Sequence, residues 1–206
     1  RQSQTFYAGN EGEEKADFTE TYRDGALDTT TTYFYYSAGN QFERAGFVGE
    51  DAYMTRSDTV RADNSLKQIT YYKGTEKGEE LADFSQDYRL DGSVKTTTDY
   101  SYKLDVNNKP TDVLDKTTVY ADNTERETRL EVHYAIYGMN EVPRLVKKSM
   151  TQYAGDLKGS EIADFTETYR DGVLDTTTTY FYHMSEAENS VRASTQGLSE
   201  DAYMTR

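Results

Sequence analysis

Neither cysteine nor tryptophan occurs among the 206 residues, and proline and histidine occur only twice each. Without cysteine there are no disulfides, no metal thiolates and no thiol chemistry. Large aliphatic and phenyl side chains are scarce too, with Leu, Ile, Val and Phe making up 33 of 206 residues. Combined with a net charge of -14, so small an apolar supply is typical of chains that bury too little surface to order themselves. No apolar run approaches the length of a transmembrane helix, so membrane insertion is not expected. The acidic balance argues against nucleic acid, whose phosphates call for clustered Lys and Arg, and against an anionic lipid surface. Its plain meaning is solubility, with divalent cations as a second partner class.

What the chain has instead is 19 Tyr and 28 Thr. Both residue types favour a pleated surface over a helix. Tyr buries a large ring while its hydroxyl stays hydrogen-bonded. Such a composition predicts thin cores and heavy dependence on backbone ladders.

Self-similarity organises the sequence. Residues 16–35 read ADFTETYRDGALDTTTTYFY, and residues 163–182 repeat them with a single change, Ala26 to Val173. The segment EDAYMTR at 50–56 returns at 200–206, with the length difference falling in the stretch between. One full period, residues 1–147, is followed by a partial second period, 148–206, and the chain is expected to be a window of a longer array. A looser copy lies inside the period: Asp83-Phe84-Ser85-Gln86-Asp87-Tyr88-Arg89-Leu90-Asp91-Gly92 followed by Lys95-Thr96-Thr97-Thr98-Asp99-Tyr100. Thr59-Val60-Arg61-Ala62-Asp63-Asn64 is likewise echoed by Thr118-Val119-Tyr120-Ala121-Asp122-Asn123.

Asp24-Gly25, Asp91-Gly92 and Asp171-Gly172 sit between β-rich runs and predict hairpin turns, where Gly supplies positive φ. Asp63-Asn64 and Asp122-Asn123 are weaker forms of that signal. About nine strands fit each period and no segment carries a helical apolar period, so 185–200 reads as loop. The fold expectation is an all-β tandem hairpin array, fibre-like, either an extended antiparallel meander or a β-solenoid. An odd strand number would reverse a meander from one period to the next.

Chemistry finds little footing. His133 reads as a strand residue, and His183 answers Tyr36 in the first copy, so neither behaves as a repeated general base. No Ser-His-Asp set and no phosphate-cradling glycine motif is present, and an enzyme is not expected. Glu13-Glu14, Glu79-Glu80 and Ser160-Glu161 lie before equivalent ADF strands and read as solvated turn charge rather than paired catalytic acids. Asp105-Val106-Asn107-Asn108-Lys109-Pro110-Thr111-Asp112 places oxygen ligands at alternating positions, the one segment with Ca²⁺ character, although Lys109 and Pro110 interrupt it. The runs Thr29, Thr30, Thr31, Thr32 and Thr176, Thr177, Thr178, Thr179 read first as hydroxyl ladders and second as O-glycosylation sites.

The block Tyr169-Arg170-Asp171-Gly172-Val173-Leu174 followed by Tyr180-Phe181-Tyr182 resembles the Tyr-rich YD-type hairpin repeats of bacterial secreted and cell-surface proteins. It departs from their pattern in lacking Gly-Arg-Leu after the turn. The resemblance implies wrapped β-shells or surface arrays and an extracellular or cell-surface location. The expected function is structural, in a fibre, stalk or surface layer, with further copies of the chain or its own continuation as partners. A carbohydrate-binding adhesin, with glycans as partners, and a shell segment of a secreted toxin are the alternatives. Exposed lone aromatics in a groove would favour the adhesin, and aromatics paired across strands the fibre.

Acidic turns such as Glu11-Gly12-Glu13-Glu14 should hold Thr- and Tyr-rich edges apart through repulsion, screened over about 8 Å at physiological salt. Light scattering is therefore expected to rise as pH falls from 7 to 4, and on addition of Ca²⁺. A flat signal under both treatments would remove the acidic turns as the dispersing element.

Overall fold

The computed structural model describes residues 2–37, 39–183, 190–194 and 203–204. Twelve strands form one sheet: β1 (Ser3–Ala8), β2 (Lys15–Arg23), β3 (Ala26–Ser37), β4 (Asn40–Arg44), β5 (Tyr53–Arg61), β6 (Leu66–Lys73), β7 (Leu81–Tyr88), β8 (Val94–Leu104), β9 (Pro110–Ala121), β10 (Val146–Ala154), β11 (Ile162–Arg170) and β12 (Val173–Thr179). Their order is β1-β2-β3-β5-β6-β7-β8-β9-β10-β11-β12, with β4 paired to β3 off this path. β13 (Phe181–His183), β14 (Val191–Arg192) and β15 (Tyr203–Met204) form a small sheet in the order β14-β13-β15. A 3-10 turn covers Ala45–Phe47 and one helix, α1, covers Arg129–Tyr137.

The chain is thus all-β and an antiparallel meander in which sequence neighbours pair; a solenoid is not what forms. Nine strands, β2 to β10, fill the long period, but β4 stands off the path. Eight remain on it, an even number, so the expected reversal between periods does not occur. The chain divides into two compact units, Arg1–Thr97 with Asp122–His133, and Thr98–Ala121 with Tyr134–Arg206. These bounds differ from the sequence period because compactness follows segments that fold back onto a sheet, not duplication.

The hairpin block folds the same way twice. β2 and β3 pair Phe18 with Thr32, Thr19 with Thr31, Glu20 with Thr30 and Thr21 with Thr29; past a register shift, Tyr22 meets Leu27, leaving Asp28 as the extra residue. β11 and β12 repeat this from Phe165 with Thr179 to Tyr169 with Leu174, leaving Asp175 extra. Both turns have positive φ at two successive residues, 51° and 83° at Asp24 and Gly25, 53° and 80° at Asp171 and Gly172. That is the type I′ pattern, whose twist matches the strands. Asp91-Gly92 differs. The inserted Leu90 lengthens the loop, Gly92 N donates to Arg89 O, and only Gly92 has positive φ. Asp63-Asn64 and Asn107-Asn108 use the same longer turn, with positive φ at Asn64 and Asn108.

A second recurring hairpin precedes the first. β1 with β2, β6 with β7, and β10 with β11 share one register, and each leaves the Asp of its Ala-Asp-Phe motif as an extra residue: Asp17, Asp83 and Asp164. The meander is therefore a four-strand unit run in series: β1-β2-β3-β5, then β6-β7-β8-β9, then β10-β11-β12.

Asp122-Asn123 is not a turn between strands, contrary to the sequence expectation. It opens the segment leading to α1, which also corrects His133 from strand to helix. Thr128 and Glu131 form a capping box: Glu131 N donates to Thr128 Oγ1 (3.3 Å) and Thr128 N to Glu131 Oε2 (3.0 Å). The segment is anchored in the first unit by a buried polar network. Arg126 Nε and Nη2 donate to the Asp122 carboxylate (2.8 and 3.1 Å), as does Thr97 Oγ1 (2.8 Å). Gln86 Nε2 donates to Thr97 Oγ1 and to Thr124 O, while Gln86 Oε1 accepts from Arg126 N. The Asp122 and Arg126 side chains are 1% and 8% exposed. Arg126→Met leaves that carboxylate buried without its counter-charge and is expected to cost roughly 3–5 kcal/mol in urea unfolding. A cost below about 1 kcal/mol, typical of exposed pairs, would show that water compensates the site.

Candidate functional site

Thr31 of the first Thr run lies in a polar row that crosses the first unit. Thr5 Oγ1 meets Thr19 Oγ1 at 2.9 Å, Thr31 Oγ1 meets Thr59 Oγ1 at 2.9 Å, and Thr96 Oγ1 and Gln68 Nε2 both donate to Asp87. Thr29 is buried and Thr30, Thr31 and Thr32 are half-buried between β2 and β5. Thr29 thus has no room for a sugar, because a neighbouring strand covers it. In the second copy Thr176, Thr177 and Thr178 are exposed and Thr179 is half-buried. One sequence run sits in an interior strand, the other at a sheet edge.

Of the 105–112 segment, residues 105–109 form the turn between β8 and β9, and 110–112 open β9. Asp105 Oδ1 accepts from Asn107 N (2.8 Å) and Lys109 N (2.9 Å), and these N–H groups hold its carboxyl below the usual carboxylate range. The carboxylate is committed to closing the turn, and among the described residues no group of three or more acidic or His side chains could hold a metal ion.

Acidic loops before the ADF strands do more than sequence reasoning gave them. Glu14, Glu80 and Glu161 each accept from the N–H of a loop glycine: Gly12 (3.0 Å), Gly78 (2.8 Å) and Gly159 (2.7 Å). In two loops the second carboxylate oxygen reaches a strand of the neighbouring unit position. Met54 N in β5 donates to Glu80 Oε1 (2.9 Å), and Leu114 N in β9 donates to Glu161 Oε1 (2.8 Å). They are staples between strands rather than solvated charge.

Sequence reasoning also missed what holds the extra aspartates. Arg44 Nε and Nη2 grip Asp17 at 2.6 and 2.5 Å, and Arg192 Nε and Nη2 grip Asp164 at 3.2 and 2.5 Å. Arg129 Nε stands 3.7 Å from Asp83. In both long copies a tyrosine closes the same bulge, Tyr35 OH donating to Ala16 O (2.7 Å) and Tyr182 OH to Ala163 O (2.8 Å). Burial pushes the Tyr35 phenol above its usual range, so it stays a donor. The signal was present as Arg44-Ala45 and Arg192-Ala193, whose alanines are both buried, but it sits in the stretch whose length varies between copies.

A cleft of about 230 Å³ in the first unit is lined by Tyr36, Phe42, Tyr53, Tyr71, Glu127 and Arg129 among others, and a shallower hollow of about 410 Å³ lies beside Leu27, Asp28, Arg61 and Lys67. The cleft's aromatic walls are mostly cross-strand pairs: Tyr36 stacks on Tyr53 at 5.2 Å and Tyr71 on Phe84 at 4.6 Å. Arg56, bonded to Asp58 at 2.6 and 2.7 Å, places its guanidinium 5.3 Å from the Phe42 ring centre and 5.7 Å from that of Tyr71. Phe42 is 45% exposed.

No protein-family model matches the chain. No curated protein matches it either. Among solved structures it is similar to a porin-like protein from Bacteroides uniformis, at 11% identity over 78% of this chain and 87% of that one, with a TM-score of 0.21. Among the described residues no helix is long and apolar enough to cross a membrane.

The Asp164 latch carries a pH signature. Burial pushes this carboxyl up, but Arg192 and the Ser194 N–H outweigh it and hold it below the usual carboxylate range. A depressed folded pKa contributes stability above the unfolded value, near 4, which is lost as pH falls through the folded value. Because Arg192 is half-exposed, Arg192→Gln is expected to cost on the order of 1 kcal/mol at pH 7. The Tm difference between the two proteins should shrink below pH ~4. A difference unchanged from pH 7 to 2 would deny the ion pair any part.

Proposed function

We propose that the chain is an extracellular structural repeat protein, contributing a spacing element to a fibre, stalk or surface layer. The observation that carries this reading is serial strand pairing in which the first hairpin recurs three times in one register with the same bulge aspartate, and the second recurs in β2–β3 and β11–β12. Serial units of this kind contact only their neighbours, so length is added without changing the contacts already made. Function then resides in extent and stiffness rather than in one cavity. Paired rings also support the reading: Phe6 on Phe18 at 4.3 Å, Tyr36 on Tyr53 and Tyr71 on Phe84 are cross-strand neighbours that consume aromatic faces internally.

The adhesin alternative keeps one observation in its favour, the cleft beside the exposed Phe42 ring with Glu127 and Arg129 at its margin. A sugar stacked on Phe42 would have polar partners there. The groove is nevertheless small beside the drug-sized sites of ~300–1,000 Å³, and four of its other rings, Tyr36, Tyr53, Tyr71 and Phe84, are already stacked. The structural reading is therefore preferred.

Immunogold labelling of intact cells of the source organism tests it. The label is expected on external filaments or a surface layer. Label confined to the cell interior would overturn the proposal.

A further inference from the structure

β3 and β5 meet across a seam unlike its neighbours. β2 and β3 are joined by the two-residue turn Asp24-Gly25, and β5 and β6 by residues 62–65. β3 reaches β5 only through residues 38–52, with β4 and the 3-10 turn on the way. The ladder between them runs from Thr29 with Arg61 to Tyr36 with Tyr53. Tyr36 and Tyr53 are thus its last pair, at the end where no short turn limits fraying. No disulfide closes that seam, because the chain has no cysteine.

The two rings are stacked, with 5.2 Å between centres and 17° between planes. Phe6 on Phe18 and Tyr71 on Phe84 are the other stacked pairs among the described residues, and only in Tyr36 with Tyr53 are both members phenols. Their hydroxyls also differ from those around them. Tyr33 OH donates to Thr19 Oγ1 (3.1 Å), Tyr35 OH donates to Ala16 O (2.7 Å), and Tyr72 OH shares a hydrogen bond with Ser57 Oγ (3.1 Å). No hydrogen bond holds the Tyr36 or Tyr53 hydroxyl among the described residues. Both residues are half-buried and line the cleft beside Phe42, so water and a small oxidant reach them.

We propose that Tyr36 and Tyr53 form an oxidative cross-linking site, at which a one-electron oxidant couples the two phenols into a dityrosine that ties β3 to β5. Each phenol gives up one electron and one proton. The unpaired electron spreads onto the ring carbons beside the oxygen-bearing carbon, and two such carbons, one from each ring, join. Each joined carbon then loses its proton to solvent while its own oxygen gains one, which restores both aromatic rings and both hydroxyls. One C–C bond has formed and two hydrogen atoms have left. The oxidant is hydrogen peroxide turned over by a haem peroxidase: one peroxide takes the two electrons and two protons and becomes two waters. Directly opposed residues have Cβ atoms about 4.5–5.5 Å apart, so side-chain rotation brings the ring edges together without moving the ladder. The second copy supplies a comparison, since Tyr203 answers Tyr53 but His183 stands in the place of Tyr36, and the two pair across β13 and β15. This inference goes beyond the structural role proposed above and does not depend on it, because the purified chain reveals the link wherever the protein resides.

The test treats the whole chain, at high dilution, with a haem peroxidase and hydrogen peroxide. Only monomer is kept, since the exposed Tyr7 and Tyr137 can join separate chains. After tryptic digestion, peptide 24–44 is expected joined to peptide 45–56, whose only tyrosine is Tyr53. The product should lack two hydrogen atoms and show the blue fluorescence of dityrosine. Tyr36→Phe keeps a ring to stack and removes the phenol, and it should abolish this product, as should Tyr53→Phe. The corresponding peptides of the second copy, 171–192 and 193–206, contain Tyr180, Tyr182 and Tyr203. Without the stacked partner they are expected to join at least about tenfold less. That comparison lies within the unsubstituted chain and needs no variant to fold. Absence of the joined 24–44 and 45–56 peptides overturns the inference, as does an equal yield from the second-copy pair. A product that survives Tyr36→Phe also overturns it and assigns the link to Tyr33 or Tyr35.

Discussion

The structure depends on pairing main-chain N–H and C=O groups in a chain that has little apolar surface to bury. Backbone donors and acceptors left dry and unpaired cost on the order of 1–3 kcal/mol each. In the interior strands they are paired by a neighbouring strand, and the register of that pairing is pinned by extra residues at fixed places. Asp17, Asp83 and Asp164 interrupt the first pairing of each unit; Asp28 and Asp175 interrupt the second. A slip of one residue would move the bulge away from its aspartate and turn Thr rows onto the ring-bearing face. Register is thus held by polar side chains at bulges, where a richer sequence would hold it by an oily core.

The same substitution of polar contacts for burial recurs at every scale. Side-chain hydroxyls meet across strands at about the 2.9 Å of an ordinary hydrogen bond, as in Thr5 with Thr19, Thr31 with Thr59, and Thr151 with Thr166. The phenols of Tyr35 and Tyr182 bond to carbonyls beside the bulges, and their rings are buried. In the second copy Glu167 accepts a hydrogen bond from the Tyr169 hydroxyl and pushes that phenol up to about 12, so the phenol stays a donor across the neutral range. Tyr does the work of both an aliphatic residue and a hydrogen-bond donor, and this accounts for a folded chain whose composition falls near the disordered class.

Much of this was legible in the residues. Asp-Gly between β-rich runs located three turns, and the near-identity of 16–35 and 163–182 became one register seen twice. What escaped was contact whose partners lie far apart or whose motif is short. Thr128-x-x-Glu131 is a capping box, yet the α1 segment has no apolar stripe to draw attention to it; its burial rests on Val132, Ala135 and Ile136. Arg44-Ala45 and Arg192-Ala193 lay in a stretch of changed length, where alignment of the copies fails. Glu80 and Glu161 looked like charge in Gly-rich loops, and only strand order shows that each faces a backbone N–H of another strand. The four-strand unit itself was hidden because β4 adds a ninth strand to the period and α1 replaces an expected hairpin.

Insertions explain where individuality resides. The paired strands repeat, and so does the arginine of the segment attached to the third strand, Arg44 in β4 opposite Phe34 and Arg192 in β14 opposite Phe181, whereas α1 after β9 is an unlike segment. Each supplies an arginine, Arg44, Arg129 or Arg192, directed at the bulge aspartate of a second-position strand. A bulge that exposes a carboxylate therefore serves as a common socket, and unlike segments attach to it through one guanidinium. Such a socket tolerates changes in the rest of the segment, since two charge-assisted bonds fix only its anchor. The cleft of the first unit is built this way, with Phe42 from one attached segment and Glu127 and Arg129 from another. Ladder and bulge set the scaffold, and the attached segments are where surface chemistry can vary without disturbing it.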